Sequence, residues 1–154
     1  MKNVKELMVT NILSCKKDET IQKVSNMMAQ SNVGFVPVVD ETQKVIGTIT
    51  DRDIALAVGK MNKLPKDIKV SEIMHSEVHT VSVEADATKA LEMMKEKHLG
   101  RLPVVDGEKK LKGVINIARI ARNSHEEEES GMEDGNQKLM ETIHSLAMGR
   151  SKIS

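Results

Sequence analysis

The chain repeats itself. Val4–Ala55 aligns with Val70–Ala121 without a gap, and 16 of the 52 paired positions are identical, where unrelated segments would share about three on ordinary residue frequencies. "KELM" faces "SEIM", "KVSNMMAQSNVGFVPVVD" faces "KALEMMKEKHLGRLPVVD", and "KVIGTITDRDIA" faces "KLKGVINIARIA". One structural unit is therefore used twice, which constrains the fold more than any single motif does.

Each copy predicts the order β-α-β-β-α. Ile12–Cys15 and Val78–Val81 read as short extended segments. Apolar residues at helical spacing follow, Ile21, Val24, Met27 and Met28 in one copy and Ala87, Ala90, Leu91 and Met94 in the other. "GFVPVVD" and "GRLPVVD" are β-rich, and their prolines argue for an edge strand or a strand end. The next strands are Lys44–Thr50 and Leu111–Asn116. A second helix then starts at Asp51–Val58 or Ile117–Arg122, with Thr50 or Asn116 as N-cap. The domain reading is 1–65 for the first repeat, 66–122 for the second, 123–137 for a mobile acidic linker and 138–149 for a C-terminal amphipathic helix. On that last helix Leu139, Met140, Ile143, Leu146 and Ala147 form the predicted apolar face, and so short a helix needs something to pack against.

Composition narrows the function classes. With no Trp, no Tyr and only Phe35, the core must be aliphatic, and base-stacking platforms for single-stranded nucleic acid are missing. A single cysteine, Cys15, excludes an intrachain disulfide and reads as a buried strand thiol. Together with the lack of a signal peptide or a long apolar run, this predicts a soluble, cytoplasmic protein with no membrane contact. Residues 1–122 hold 20 Lys/Arg against 16 Asp/Glu, and residues 123–154 hold 3 against 7. This mild basic excess suits a small anionic ligand better than a nucleic acid, which would call for a concentrated basic stripe. No nucleophile-base set, P-loop or paired-carboxylate arrangement is visible, so catalysis is not expected. His75 and His79, set on a strand, would stand about 13 Å apart, too far for one metal ion. His98 reads as a helix C-terminal cap or a minor phosphate contact. The methionines on helix faces suggest core and subunit contacts, and with them a homodimer.

"GFVPVVD…GTITDRDI" and "LGRLPVVD…GVINIARI" resemble the two halves of a tandem cystathionine-β-synthase (CBS) domain pair, or Bateman module, over residues 1–122. The resemblance implies an α+β fold of two β-α-β-β-α units packed with pseudo-two-fold symmetry, plus the C-terminal helix. It also implies a regulatory role in energy or metabolite sensing and signal transduction, in which an adenosine-containing ligand changes the conformation of the pair and an attached or associated protein responds. The ligand would be AMP, ADP or ATP, with S-adenosylmethionine or NAD as further candidates, and no cofactor would be required. A ligand-independent interaction or dimerisation module and a nucleic-acid binder are the alternatives.

Site residues follow from "TITDRDIA". Thr50 and Asp53 lie three apart across a strand-to-helix junction: a carboxylate can accept both hydrogens of a vicinal ribose diol, and a threonine hydroxyl can donate to phosphate. The helix N-terminus adds N–H groups that favour an anion. The same residues would serve equally as a plain helix cap. Thr48 shares the cluster, and Arg52 and Arg101 carry guanidinium forks that match phosphate. By resemblance, the second repeat's Gly100, Arg101, Leu102 and Pro103, with Val78 and His79, lie beside the ligand, and adenine rests among Ile49, Val78, Leu102 and Pro103. In the second repeat Asn116 replaces Thr50 and Arg119 replaces Asp53. That copy has no diol acceptor, so one nucleotide per chain is expected, with Arg119 as a plug or a phosphate contact.

Overall fold

The computed structural model describes residues 2–129 and 136–151. Each repeat forms the predicted helices and hairpins. Helix α1 spans Val4–Leu7, α2 Ile21–Ser31, α3 Asp51–Lys60, α4 Val70–Ile73, α5 Ala87–Lys97, α6 Ile117–Glu129 and α7 Asn136–Ser151. The strands are β1 Phe35–Val39, β2 Val45–Thr50, β3 Val81–Ser82, β4 Arg101–Val105 and β5 Leu111–Asn116.

Local chemistry sets the helix ends. Thr20 caps α2 by accepting from the Lys23 N–H, and Asn32 ends it in the left-handed region with φ 51°. In the second repeat Asp86 accepts from the Thr88 N–H, and His98, also left-handed, takes the C-cap place. Both helices bury the face that their periodicity predicts: Ile21, Val24 and Met28 in one, Ala87, Ala90, Leu91 and Met94 in the other.

Two compact units result. One comprises residues 11–78 with Glu108–Leu111, and the other residues 1–10, 79–107 and 112 onward. These units do not follow the linear repeats, because the leading segment of each repeat packs in the other's core. Val4 and Leu7 of α1 join Val81, Ala90, Leu91, Met94, Leu102, Val104, Ile115 and Ile120. Val70 of α4 joins Cys15, Ile21, Val24, Val36, Val38, Ile49 and Ile68. Each core is aliphatic, as the lack of aromatics requires.

The prolines sit differently from expectation. In the second repeat β4 is the central strand of the order β3-β4-β5. In the first, β1 pairs antiparallel with β2 on one side and bridges Cys15 through Val38 on the other. Neither is an edge. Both tolerate proline because the parallel ladder begins just after it, at Val81↔Val104 in one unit and at the Cys15↔Val38 bridge in the other, so the missing N–H leaves no gap. The first extended segment is correspondingly short, and of Ile12–Cys15 only Cys15 enters the ladder.

The C-terminal region also departs from the sequence reading. Helix α6 runs on through Glu129 rather than stopping at Arg122, since Asn123 and Ser124 are buried and glutamates extend a helix at little cost. The start of the stretch read as a mobile linker is therefore helical, and residues 130–135 lie outside the described residues. Helix α7 packs on α5 through Leu139 and Thr142, both buried. Lys95–Glu141 at 2.9 Å and Lys138–Glu92 at 3.2 Å flank that contact. Met140 and Ile143, placed on the packed face by spacing alone, are exposed.

Candidate functional site

The β2–α3 junction carries the polar cluster. Thr50, extended at φ −117° and ψ 161°, is the N-cap of α3, and its hydroxyl accepts the Asp53 N–H at 3.1 Å. Asp53 answers through Oδ2, which accepts the Thr50 N–H at 2.8 Å, and the two residues close a reciprocal capping box. The remaining carboxylate oxygen, Oδ1, stands 2.8 Å from Nε2 of His75. Since an ionised carboxylate only accepts, the imidazole N–H donates.

His75 reaches this position because its backbone is bridged to β2. Its N–H donates to the Thr48 carbonyl at 2.9 Å and its carbonyl accepts the Thr48 N–H at 3.1 Å. Gly47 makes the approach possible: a Cβ there would lie 2.9 Å from the His75 carbonyl oxygen and 3.0 Å from Met74 Sδ. Asp51, first residue of α3, accepts the Arg52 N–H through Oδ1 and lies against Gly34, whose carbonyl accepts the Asp51 N–H. The Arg52 side chain is exposed.

The structure gathers Thr48, Thr50, Arg52, Asp53 and Val78 in one unit, and His79, Arg101, Leu102, Pro103 and Arg119 in the other. Arg101 and Arg119 are exposed. Leu102 and Ile49, read as adenine neighbours, are fully buried in the aliphatic cores of their own units. Sequence reasoning missed His75, weighing it only as a metal ligand. The signal was present in the repeat, because His75 faces Val9 as Asp53 faces Arg119. Among the described residues no three metal-ligating side chains gather.

The second repeat keeps the frame and changes the chemistry. Asn116 Oδ1 accepts the Arg119 N–H at 2.8 Å, so the helix cap is preserved. Val9 and Val114 exchange both backbone hydrogen bonds, 2.9 and 3.0 Å, as His75 and Thr48 do. Neither carboxylate nor imidazole is present in that bridge and cap. Elsewhere, burial pushes the thiol of Cys15 up to about 12, which leaves it protonated and unreactive.

The CBS domain family model matches this chain twice, over residues 4–60 and 70–126. The chain belongs to the CBS domain family. It is 35% identical over 135 residues to the CBS domain-containing protein YhcV of Bacillus subtilis, covering 85% of this chain and 91% of that one. An inosine-5'-monophosphate dehydrogenase of Methanocaldococcus jannaschii shares 29% identity over 79% of this chain, but the CBS pair spans only 23% of that enzyme. The crystal structure of the CBS domain pair of protein MJ0100, in complex with methylthioadenosine and S-adenosyl-L-methionine, superposes with a TM-score of 0.74 at 24% identity, over 82% of this chain and 98% of that one. This CBS pair has no helix, among the described residues, long and apolar enough to cross a membrane.

Proposed function

We propose that this CBS pair is a regulatory sensor of an adenosine-containing ligand, gripped by its ribose and phosphate at the β2–α3 junction of the first repeat. The observation that carries the reading is the Thr50–Asp53 arrangement, a partly buried carboxylate held at a helix N-terminus by the residue that caps that helix. Asp53 accepts the ribose hydroxyls. Thr50, which accepts through one lone pair, keeps its hydrogen to donate to a phosphate oxygen. Arg52, in the first turn of α3, supplies a cation that a phosphate needs, and AMP, ADP and ATP are the first candidates, ahead of S-adenosylmethionine and NAD. The role is binding and signalling, not catalysis, and a second protein reads the outcome.

A thermal-shift series with these five compounds tests the reading, because a ligand that binds only the native state raises the melting temperature. Calorimetry on Asp53→Ala then locates the site. Loss of a partly buried hydrogen-bond partner costs about 1–3 kcal/mol, so affinity should fall by about tenfold or more. A flat thermal-shift screen, or binding indifferent to Asp53, refutes it.

A further inference from the structure

We propose that His75 sets the affinity of this site by competing with the ligand's ribose for Asp53 Oδ1. The inference rests on the reading of Asp53 as the diol acceptor. It adds a residue outside the Thr-x-x-Asp cluster and assigns that residue a sign: removing it should tighten binding.

The geometry separates the two carboxylate oxygens. Oδ2 is committed to the capping box, through the Thr50 N–H at 2.8 Å. Oδ1 faces only the imidazole in the contacts described above, at 2.8 Å. The two side chains differ in freedom, since that of His75 is 63% exposed and that of Asp53 14%. The backbone of His75 is fixed by its double bridge to Thr48, but the imidazole can turn into solvent about its own side-chain bonds. A ribose hydroxyl can therefore replace the imidazole N–H on Oδ1 without disturbing the cap of α3. The repeat supplies an internal control. Where Asp53 becomes Arg119, the residue on the same bridge becomes Val9, so the imidazole accompanies the carboxylate it covers.

The size of the effect follows from exposure. A hydrogen bond from a largely exposed imidazole contributes less than a buried one, so losing the competitor should tighten ribose binding by about threefold. His75→Val installs the residue that the equivalent bridge already holds at Val9, and so keeps the fold. Calorimetry would compare wild type and His75→Val with adenosine and with its analogue lacking both secondary ribose hydroxyls. The expected result is tighter adenosine binding by the variant and equal binding of the analogue by both proteins. His75→Gln, which keeps an N–H donor, should stay near wild type. Unchanged or weaker adenosine binding by His75→Val, or an equal gain for both compounds, overturns the competition and leaves the adenosine reading standing. Failure of both proteins to bind adenosine overturns both.

Discussion

Thr50 and Asp53 hold each other by two hydrogen bonds, 2.8 and 3.1 Å, that close the first turn of α3. The cap and the proposed ligand grip are the same pair of residues, so substitutions must be chosen to separate them. Asp53→Asn keeps an amide oxygen for the Thr50 N–H but presents an NH2 in place of the second acceptor. Its melting temperature should stay near wild type while ribose binding falls by about tenfold. Thr50→Ala should lower stability by about 1 kcal/mol, the ordinary cost of losing an N-cap. In a chain of this size that corresponds to about 2–4 °C in Tm. A melting-temperature loss in Asp53→Asn as large as that in Thr50→Ala would contradict the division of roles.

Stoichiometry tests the asymmetry of the repeats. Asn116 caps α6 as Thr50 caps α3, but Arg119 cannot accept a hydroxyl hydrogen. Titration of wild type should saturate at one nucleotide per chain. Asn116→Thr with Arg119→Asp should restore some capacity for a second, because the frame is kept and only two side chains are changed. Two equivalent nucleotides per wild-type chain would exclude the idea.

Among the described glycines of its unit, Gly113 makes the tightest approach to a neighbour. A Cβ there would stand 2.7 Å from the Val9 carbonyl oxygen and 2.9 Å from Met8 Sδ. The carbonyl cannot retreat without breaking its bridge to Val114. Gly113→Ala should therefore destabilise by about 1–3 kcal/mol, measured by denaturant unfolding.

The seat of α7 should depend on pH and salt. Hydrogen bonding from Lys95, then its positive charge, holds the Glu141 carboxyl below the usual glutamate range. A lowered folded-state value gives stability that is complete above the ordinary carboxylate range and lost as pH falls through the lowered value. Hydrogen exchange in α7, corrected for intrinsic rate, should rise on acidification through that window and rise also with salt, which screens an exposed pair. Exchange insensitive to both would leave Leu139 and Thr142 as the whole of the contact.

Assembly is a separate question, and light scattering answers it. The exposed Met140 and Ile143, and the exposed Leu56 and Val58 of α3, lead us to expect a homodimer. A mass of one chain, 17.1 kDa, through a micromolar dilution series would refute it.

The sequence by itself determined the repeat, the helices and strands within it, the aliphatic core and the Thr50–Asp53 pair, because periodicity, capping residues and residue type act over a few positions. It misread what depends on distant partners. Nothing local says that Val4 and Val70 each complete the other repeat's core, or that β1 and β4 lie inside their sheets despite Pro37 and Pro103. The rotation of α7 shows only in its packing on α5: Leu139 and Thr142 are buried there, and Met140 and Ile143 face outward. His75 lies 22 residues from Asp53, and only the bridge to Thr48 brings its imidazole to the carboxylate. Short-range chemistry chooses elements and caps, while the pairing of segments far apart in the chain chooses which side chains meet.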